Sequence, residues 1–356
     1  MNVRALVNWL PDERSAALIN SPLSIRYLCG FPVEDGIILA AREESFLFLT
    51  EREYAEISEK IGTPHDLRIR VLTGGKQLLE LLVKYGIKRI FIEPDKMTVT
   101  EYRLFKEQLH YAEIDTSEEL ARQLLLMRSV KTDEEIIAIG NAQRICDKAY
   151  ERLLGSARKG MTERQIASLL DFYLSDFGSE RLPFPTVVRS GENTANPNIK
   201  PTDRPIREGE FLILEFGASY DGYCAKMCRT AAVGEITPRM DNAYNAVSCA
   251  ISDGLRALRA GIGGKVADSV AKATLNAWDV DKYCSVNFAH GIGLEPVEPP
   301  YLGQNSSSIL KANTALSVSC GVNIAGKFGV KIGDMASLTE DGCIDYTAAT
   351  KSLIHI

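Results

Sequence analysis

The chain has 356 residues, of which 45% are hydrophobic and 25% are charged, and its formal net charge is −6. This is an ordinary globular composition with room for two domains, and the negative charge argues against a nucleic-acid or anionic-membrane partner. No stretch approaches the roughly 18 apolar residues of a membrane span, and the N-terminus lacks the apolar core of a secretory signal. The eight cysteines form no small-scaffold disulfide framework. For these three reasons we expect a cytoplasmic protein.

Strands and helices are predicted to alternate over residues 1–125. Apolar residues at 36–40 and 45–49 predict two paired strands. Residues 77–85 predict a helix, and residues 89–92 predict a further strand. We therefore predict an α/β domain in this first region.

Two helix starts are predicted early in the second region, residues 126–356. Thr132 and Glu135 have the spacing of a capping box, in which each side chain accepts a hydrogen bond from the backbone N–H of the other residue. Thr162 and Gln165 repeat this spacing. Each pair predicts the first turn of a helix.

The remainder of the second region combines apolar strands with amphipathic helices. Strands are predicted at 211–218 and 223–233, and helices at 242–259 and 266–278. A domain built in this way belongs to the α+β class, and we predict one such domain from residue 126 to the C-terminus.

The most informative stretch is LILEFGASYDGYCAKMCRT, residues 212–230. It resembles "liDfGa.y.GYcsDmtRT", the signature strand pair of the prolidase, aminopeptidase P and creatinase family. Further phrases resemble the family in the right order: SPLSIRYLCGF at 21–31, AHGIGLEPVEPP at 289–300, LKANTALSVSCGVNI at 310–324 and FGVKIGDMASLTEDG at 328–342. The resemblance implies a creatinase/prolidase-type N-terminal domain followed by a pita-bread fold, and it implies a homodimer.

The resemblance also identifies five positions that bind metal in the active metallopeptidases of the family. There, two Asp, one His and two Glu hold two divalent ions, because hard cations need several oxygen ligands and bridging carboxylates. The same positions in this sequence are Glu215, Lys226, His290, Ser319 and Gly333. The histidine is retained and one acid is longer by a methylene, but a hydroxyl and a glycine cannot replace two carboxylates.

The cation at position 226 opposes metal binding most strongly. An ammonium about 4 Å from a divalent ion is repelled by about 8 kcal/mol at an effective dielectric of about 20. We therefore predict no metal and no cofactor at this site, and a direct ion pair between Lys226 and Glu215. This pair could be a functional group in a cleft, or a buried ion pair that only fills the vacated space.

Two further histidines of the family are replaced here, by Asn198 and Val297. The first of them is the essential base of creatinase, a member that hydrolyses a C–N bond without metal. The resemblance therefore does not extend to a creatinase mechanism. Glu298 follows the second position and could be a charged group of the cleft, or it could hold the turn at residues 299–300.

Ser319 and Cys320 stand where the family has Glu-Pro, and each could be considered as a nucleophile. A nucleophilic hydroxyl or thiol needs a base within hydrogen-bond reach. His290 is the candidate base by family geometry.

Three functions remain open for such a chain. One is an active Xaa-Pro metallopeptidase, against which the altered ligand positions argue. Another is a metal-independent enzyme for a small amino-acid-like substrate. The third is a catalytically inert binding protein, similar to the peptidase-like domain of a eukaryotic histone chaperone. We favour the metal-independent enzyme, because the altered positions carry a polar set of side chains rather than an apolar plug.

The predicted catalytic residues are the polar side chains at the former ligand positions, together with Glu298. We expect them to line an open pocket that binds a small amino-acid-like molecule. They are Glu215, Lys226, His290, Ser319 and Glu298.

Overall fold

The structure is a computed structural model that describes residues 2–61, 66–284 and 286–356. The chain forms two compact units, Met1–Arg128 and Ser129–Ile356. None of the helices in the described ranges is long and apolar enough to cross a bilayer.

The first unit is an α/β domain, as the sequence predicts. Its described strands form one sheet in the order β4-β3-β2-β1-β5-β6, and the predicted strand pair is the antiparallel hairpin of β2 and β3. Phe46, Leu78 and Ile90 are fully or almost fully buried where its helices cover this sheet. The elements are α1 (Val3–Trp9), β1 (Ser15–Ile19), α2 (Pro22–Cys29), β2 (Gly36–Ala41), β3 (Phe46–Leu49), α3 (Glu51–Ile61), β4 (Arg68–Val71), α4 (Gly75–Lys84), β5 (Arg89–Phe91), α5 (Val99–Gln108), β6 (Glu113–Asp115) and α6 (Glu119–Ser129), whose last residue belongs to the second unit.

The second unit contains a larger sheet with helices, which confirms the predicted α+β class. Its strands run in the order β11-β10-β12-β13-β9-β8-β7, with β14 paired to β13, and neighbouring strands are antiparallel. The elements are α7 (Asp133–Leu154), α8 (Glu163–Asp176), β7 (Val187–Ser190), β8 (Glu210–Tyr220), β9 (Tyr223–Val233), α9 (Pro238–Ala257), α10 (Lys265–Ala277), β10 (Ala289–Gly291), β11 (Glu298–Leu302), β12 (Ala315–Ile324), β13 (Phe328–Leu338) and β14 (Cys343–Asp345), with short 3-10 helices at Gly191–Ala195 and Asp281–Tyr283.

The helix starts follow local side-chain chemistry. Both predicted capping boxes are formed, with Thr132 before α7 and Thr162 before α8. Helix α9 starts at Pro238 rather than at residue 242, because the side chain of Thr237 caps it and proline suits a first helical turn.

The helices cover one face of the large sheet. Leu214 and Phe216 of β8 are buried against α7 and α8, and Leu316 and Val318 of β12 are buried against α9 and α10. Successive side chains of a strand point to opposite faces, so the residues between these apolar positions project from the other face. The polar site is built on that face.

Candidate functional site

Strand register brings most of the predicted positions into one row. Glu215 of β8 pairs with Cys228 of β9, Cys228 pairs with Gly333 of β13, and Gly333 pairs with Ser319 of β12. Lys226 lies two residues from Cys228 on β9 and therefore projects from the same face. The positions that the sequence spreads over more than a hundred residues are thus neighbours in the sheet.

Glu215 is the centre of an ion cluster that includes Lys226. The Lys226 Nζ lies 2.9 Å from the Glu215 Oε1, which confirms the predicted pair. The Lys331 Nζ donates to both carboxylate oxygens, each at 2.9 Å. The Arg189 Nη2 lies 3.6 Å from the Glu215 Oε2. One carboxylate therefore interacts with three cations.

The cluster is largely buried, which strengthens its electrostatics. The exposed fraction is 12% for the Glu215 side chain, 20% for Lys226 and 18% for Lys331. Burial alone would raise the pKa of Glu215, but the charges and hydrogen bonds of the two lysines outweigh it and hold that pKa at about 2. Glu215 is therefore a stable carboxylate and not a proton carrier near neutral pH.

Lys331 and Arg189 are site residues that the sequence prediction missed. Lys331 lies two residues before Gly333 on β13, at the position where the family phrase has an arginine, so strand alternation could have placed it on the same face. Arg189 is a charged residue inside the apolar strand β7 and is 2% exposed. A buried cation in an apolar strand is the signal that could have identified it, because such a group needs a partner.

His290 lies close to the cluster and is neutral in this setting. Burial lowers its pKa, the charges of Lys226 and Lys331 lower it further, and a hydrogen bond with the Gly291 carbonyl opposes both. The His290 Nδ1 lies 2.9 Å from that carbonyl oxygen. Because a carbonyl can only accept, Nδ1 carries the hydrogen and the Nε2 of the neutral ring is an acceptor.

Ser319 and Cys320 project from opposite faces of β12. Ser319 is half-buried on the site face, and its backbone N–H donates to the Phe288 carbonyl oxygen at 2.7 Å. Cys320 is 3% exposed and belongs to the apolar cluster beneath α9 and α10, where burial raises the pKa of its thiol. Of the two, Ser319 is the one that faces the ion cluster.

Glu298 is held by partners of its own. Its Oε2 lies 3.4 Å from the Lys131 Nζ, and both side chains are 1% exposed. Its Oε1 accepts a hydrogen bond from the backbone N–H of Glu295 at 2.9 Å. The structure thus favours the alternative in which Glu298 holds the turn, and it corrects the expectation that this carboxylate lines an open pocket. A catalytic role for Glu298 stays a prediction.

The positions of the two lost histidines lie at the surface. Asn198 is exposed, and its backbone N–H donates to the Asn196 side chain at 3.0 Å. Val297 is 48% exposed. Neither residue can accept or release a proton as an imidazole does.

The residues at the former ligand positions do not fit a pair of divalent ions. Glu215 is the one carboxylate among them, and two ammonium groups already occupy both of its oxygens. A glutamate at position 333 would also be crowded, because a Cβ there would lie 3.1 Å from the Cβ of Cys228. In the described ranges, no three His, Cys, Asp or Glu side chains are grouped to hold a metal.

Known proteins share this fold and sequence pattern. The chain is 30% identical over 341 residues to the uncharacterized peptidase YqhT of Bacillus subtilis (strain 168), covering 95% of this chain and 94% of that protein. The Xaa-Pro dipeptidase from Bacillus anthracis has a TM-score of 0.92 at 29% identity, covering 100% of this chain and 98% of that one. The X-Pro aminopeptidase from Thermotoga maritima MSB8 has a TM-score of 0.91 at 27% identity, with both chains covered completely.

Two family models match the chain. Residues 8–124 match the Creatinase/Prolidase N-terminal domain, and residues 138–340 match metallopeptidase family M24. These matches confirm the expected fold, an N-terminal creatinase/prolidase-type domain followed by a pita-bread domain. The chain is a member of metallopeptidase family M24.

Proposed function

We propose that this chain is a metal-independent enzyme of its family that hydrolyses a C–N bond in a small amino-acid-like substrate. The observation that carries the proposal is the pair of ammonium groups, from Lys226 and Lys331, held 2.9 Å from Glu215, the acid at one of the former ligand positions. Fixed positive charge is therefore supplied by side chains in the place where relatives would use divalent ions.

The two lysines can stabilise the negative charge that develops during hydrolysis. When water adds to an amide carbonyl, its oxygen becomes an oxyanion, and cations already held in position lower the energy of that state. Glu215 fixes the position of both ammonium groups, because each lies 2.9 Å from its carboxylate. Its role in the proposal is to position them.

His290 is the proposed general base. Its neutral ring presents Nε2 as an acceptor, which can take a proton from the attacking water and later give it to the leaving nitrogen as the C–N bond breaks. Ser319 is shorter than the glutamate that stands at this position in the family, so it takes up less space on the site face. A homodimer and a small-molecule partner belong to the same proposal.

The inert binding protein is the second candidate, and the ion cluster itself favours it. Both oxygens of Glu215 are occupied, and Glu298 is buried in its own ion pair, so neither acid is free to carry a proton. If His290 does no chemistry, the cleft would bind a ligand without changing it.

Mass spectrometry of substrate mixtures tests the proposal. The purified protein, treated with a chelator, is incubated with Xaa-Pro dipeptides, amino-acid amides and N-substituted glycines. We expect chelator-resistant turnover that is lost in His290→Ala and retained in His110→Ala, whose ring is exposed in the other unit. Turnover that requires added manganese would overturn the metal-independent mechanism. Binding without turnover of any substrate would establish the inert alternative.

A further inference from the structure

Positive charge exceeds negative charge in the ion cluster. Arg189, Lys226 and Lys331 contribute three positive charges and Glu215 contributes one negative charge, which leaves an excess of 3 − 1 = 2. The thiol of Cys228 beside them does not compensate, because burial raises its pKa to about 12. Glu215 and the same three cations all act on this thiol.

The other acids on the described residues of β8, β11 and β13 have cationic partners of their own, since Glu210 binds Arg204, Glu298 binds Lys131 and Asp334 binds Arg229. The strands that meet the cluster present charged or polar residues towards it. These residues include Arg189 on β7, Glu215 on β8, Lys226 and Cys228 on β9, His290 on β10, Ser319 on β12 and Lys331 on β13.

Arg189 has a donor that no group in the described part of the chain satisfies. Its side chain is 3% exposed, its Nη1 donates to the Asn196 carbonyl oxygen at 3.0 Å, and its buried Nε has no hydrogen-bond partner. Burial of a polar group without a partner is unfavourable, so native structures seldom retain one unless a ligand or water meets it.

Lys226 retains donors that Glu215 does not use. An ammonium has three N–H donors, and the Lys226 Nζ contacts the Glu215 Oε1 at 2.9 Å. The same Nζ lies 5.3 Å from the centre of the Phe184 ring, and the side chain is 20% exposed. The Lys226 side chain is therefore partly open to solvent.

We propose that the cluster binds a small dianionic oxyanion, so that the substrate is an acidic amino-acid-like molecule bearing a phosphate or a second carboxylate. A phosphate carries about −1.5 to −2 charges at neutral pH, and a dicarboxylate carries about −2, which matches the excess. The negative group contacts the two ammonium donors of Lys226 that Glu215 leaves unused, so the third donor of Lys331 remains for the oxyanion of the proposed reaction. This inference rests on the proposed function and names its substrate class.

Binding of simple anions tests the inference without knowledge of the substrate. Inorganic phosphate, succinate and acetate are compared by calorimetry and by thermal unfolding at constant ionic strength, with chelator present. We expect phosphate or succinate to raise the melting temperature of the native protein, and acetate to do so less. Phosphate and succinate also distinguish the two possible sources of the dianion.

Matched lysine variants locate the binding. Lys226→Gln should weaken the affinity for the preferred dianion by about tenfold or more, since one partner of a charge pair is lost. Lys331→Arg keeps the charge and should retain binding, whereas Lys327→Gln removes an exposed lysine from the β12–β13 turn and should have no effect. Circular dichroism verifies that each variant is folded.

The outcomes separate this inference from the proposed function. No stabilisation by either dianion, or equal stabilisation of the Lys226→Gln variant, overturns the anion site. Chelator-resistant turnover of an uncharged amide, without dianion binding, overturns the inference and leaves the proposed function intact. A third outcome is dianion binding that Lys226→Gln abolishes, with no turnover of any acidic substrate. This result supports the anion site and overturns the proposed enzymatic function.

Discussion

Lys331 holds both carboxylate oxygens of Glu215 at 2.9 Å, whereas Lys226 contacts one of them. The position of Lys331 is fixed by its backbone, because the Thr230 hydroxyl accepts from the Lys331 N–H at 2.9 Å and donates to the Lys331 carbonyl oxygen at 2.8 Å. The lysine thus reaches from β13 across β9 to the acid on β8. Glu215 and Lys331 form the principal pair of the site, and Lys226 is a second partner with a similar exposure.

Removing Glu215 should destabilise the protein far more than removing Lys226. Glu215→Gln leaves three cations without their anion, and losing one partner of a buried ion pair costs about 3–5 kcal/mol. Lys226→Ala should cost about 1 kcal/mol, since Lys331 and Arg189 still hold the carboxylate. Urea unfolding measures both values.

Glu192→Gln is the control for this comparison, because Glu192 is an exposed acid and its loss should change the free energy of unfolding little. A Lys226→Ala variant that loses as much stability as Glu215→Gln would show that Lys331 and Arg189 do not hold the carboxylate once Lys226 is removed.

Stability should fall as the pH drops from 4.5 towards 2. The pKa of Glu215 is lowered from 4.5 to about 2, so the unfolded chain binds more protons in this range and the folded state loses its advantage. The shift corresponds to about 3 kcal/mol at 1.36 kcal/mol per pKa unit. Urea unfolding at a series of pH values measures the slope, and Glu215→Gln should make that slope shallower. Identical slopes for the two proteins would contradict the lowered pKa.

The local parts of the fold were predictable because the chemistry that forms them lies within a few residues. Both capping boxes are examples, and so is the pair of Glu215 and Lys226, which the turn between β8 and β9 brings together. The family resemblance supplied the pita-bread fold. Periodicity alone could have indicated no more than the α+β class.

The partners of the site could not be predicted by the same means, because long-range strand pairing creates them. Lys331 is 116 residues from Glu215 along the chain, and Lys131 is 167 residues from Glu298. No local spacing relates these residues. The predicted pair of Glu215 and Lys226 is therefore part of a larger cluster. Glu298, which was expected to line the same pocket, is buried in a separate ion pair with Lys131.

The histidine at the site should titrate below its usual range. Burial and the charges of Lys226 and Lys331 lower the pKa of His290 from 6.5. NMR titration of the histidine ring signals measures this value, and His290→Ala assigns the signal. Replacing either lysine with glutamine removes a positive charge and should raise the pKa of His290. A pKa that stays the same in both variants would place the imidazole outside the field of the cluster.

The protein should bind no divalent ion at the former metal positions, and restoring one aspartate should not change this. Lys226→Asp removes a repelling cation and adds a carboxylate, but Lys331 still occupies both oxygens of Glu215, and Ser319 and Gly333 still offer no acid. Calorimetric titration with manganese, cobalt and zinc, together with metal analysis of the purified protein, measures the occupancy.

A second variant extends this test to the lysine that the sequence did not indicate. Lys226→Asp combined with Lys331→Met removes both ammonium groups that contact Glu215, so metal affinity should rise above that of Lys226→Asp alone. The rise should remain small, because two carboxylates and one imidazole provide fewer oxygen ligands than two hard cations require. Stoichiometric metal in the unmodified protein, lost in Glu215→Gln and in His290→Ala, would show that these two side chains form a metal site despite the lysines.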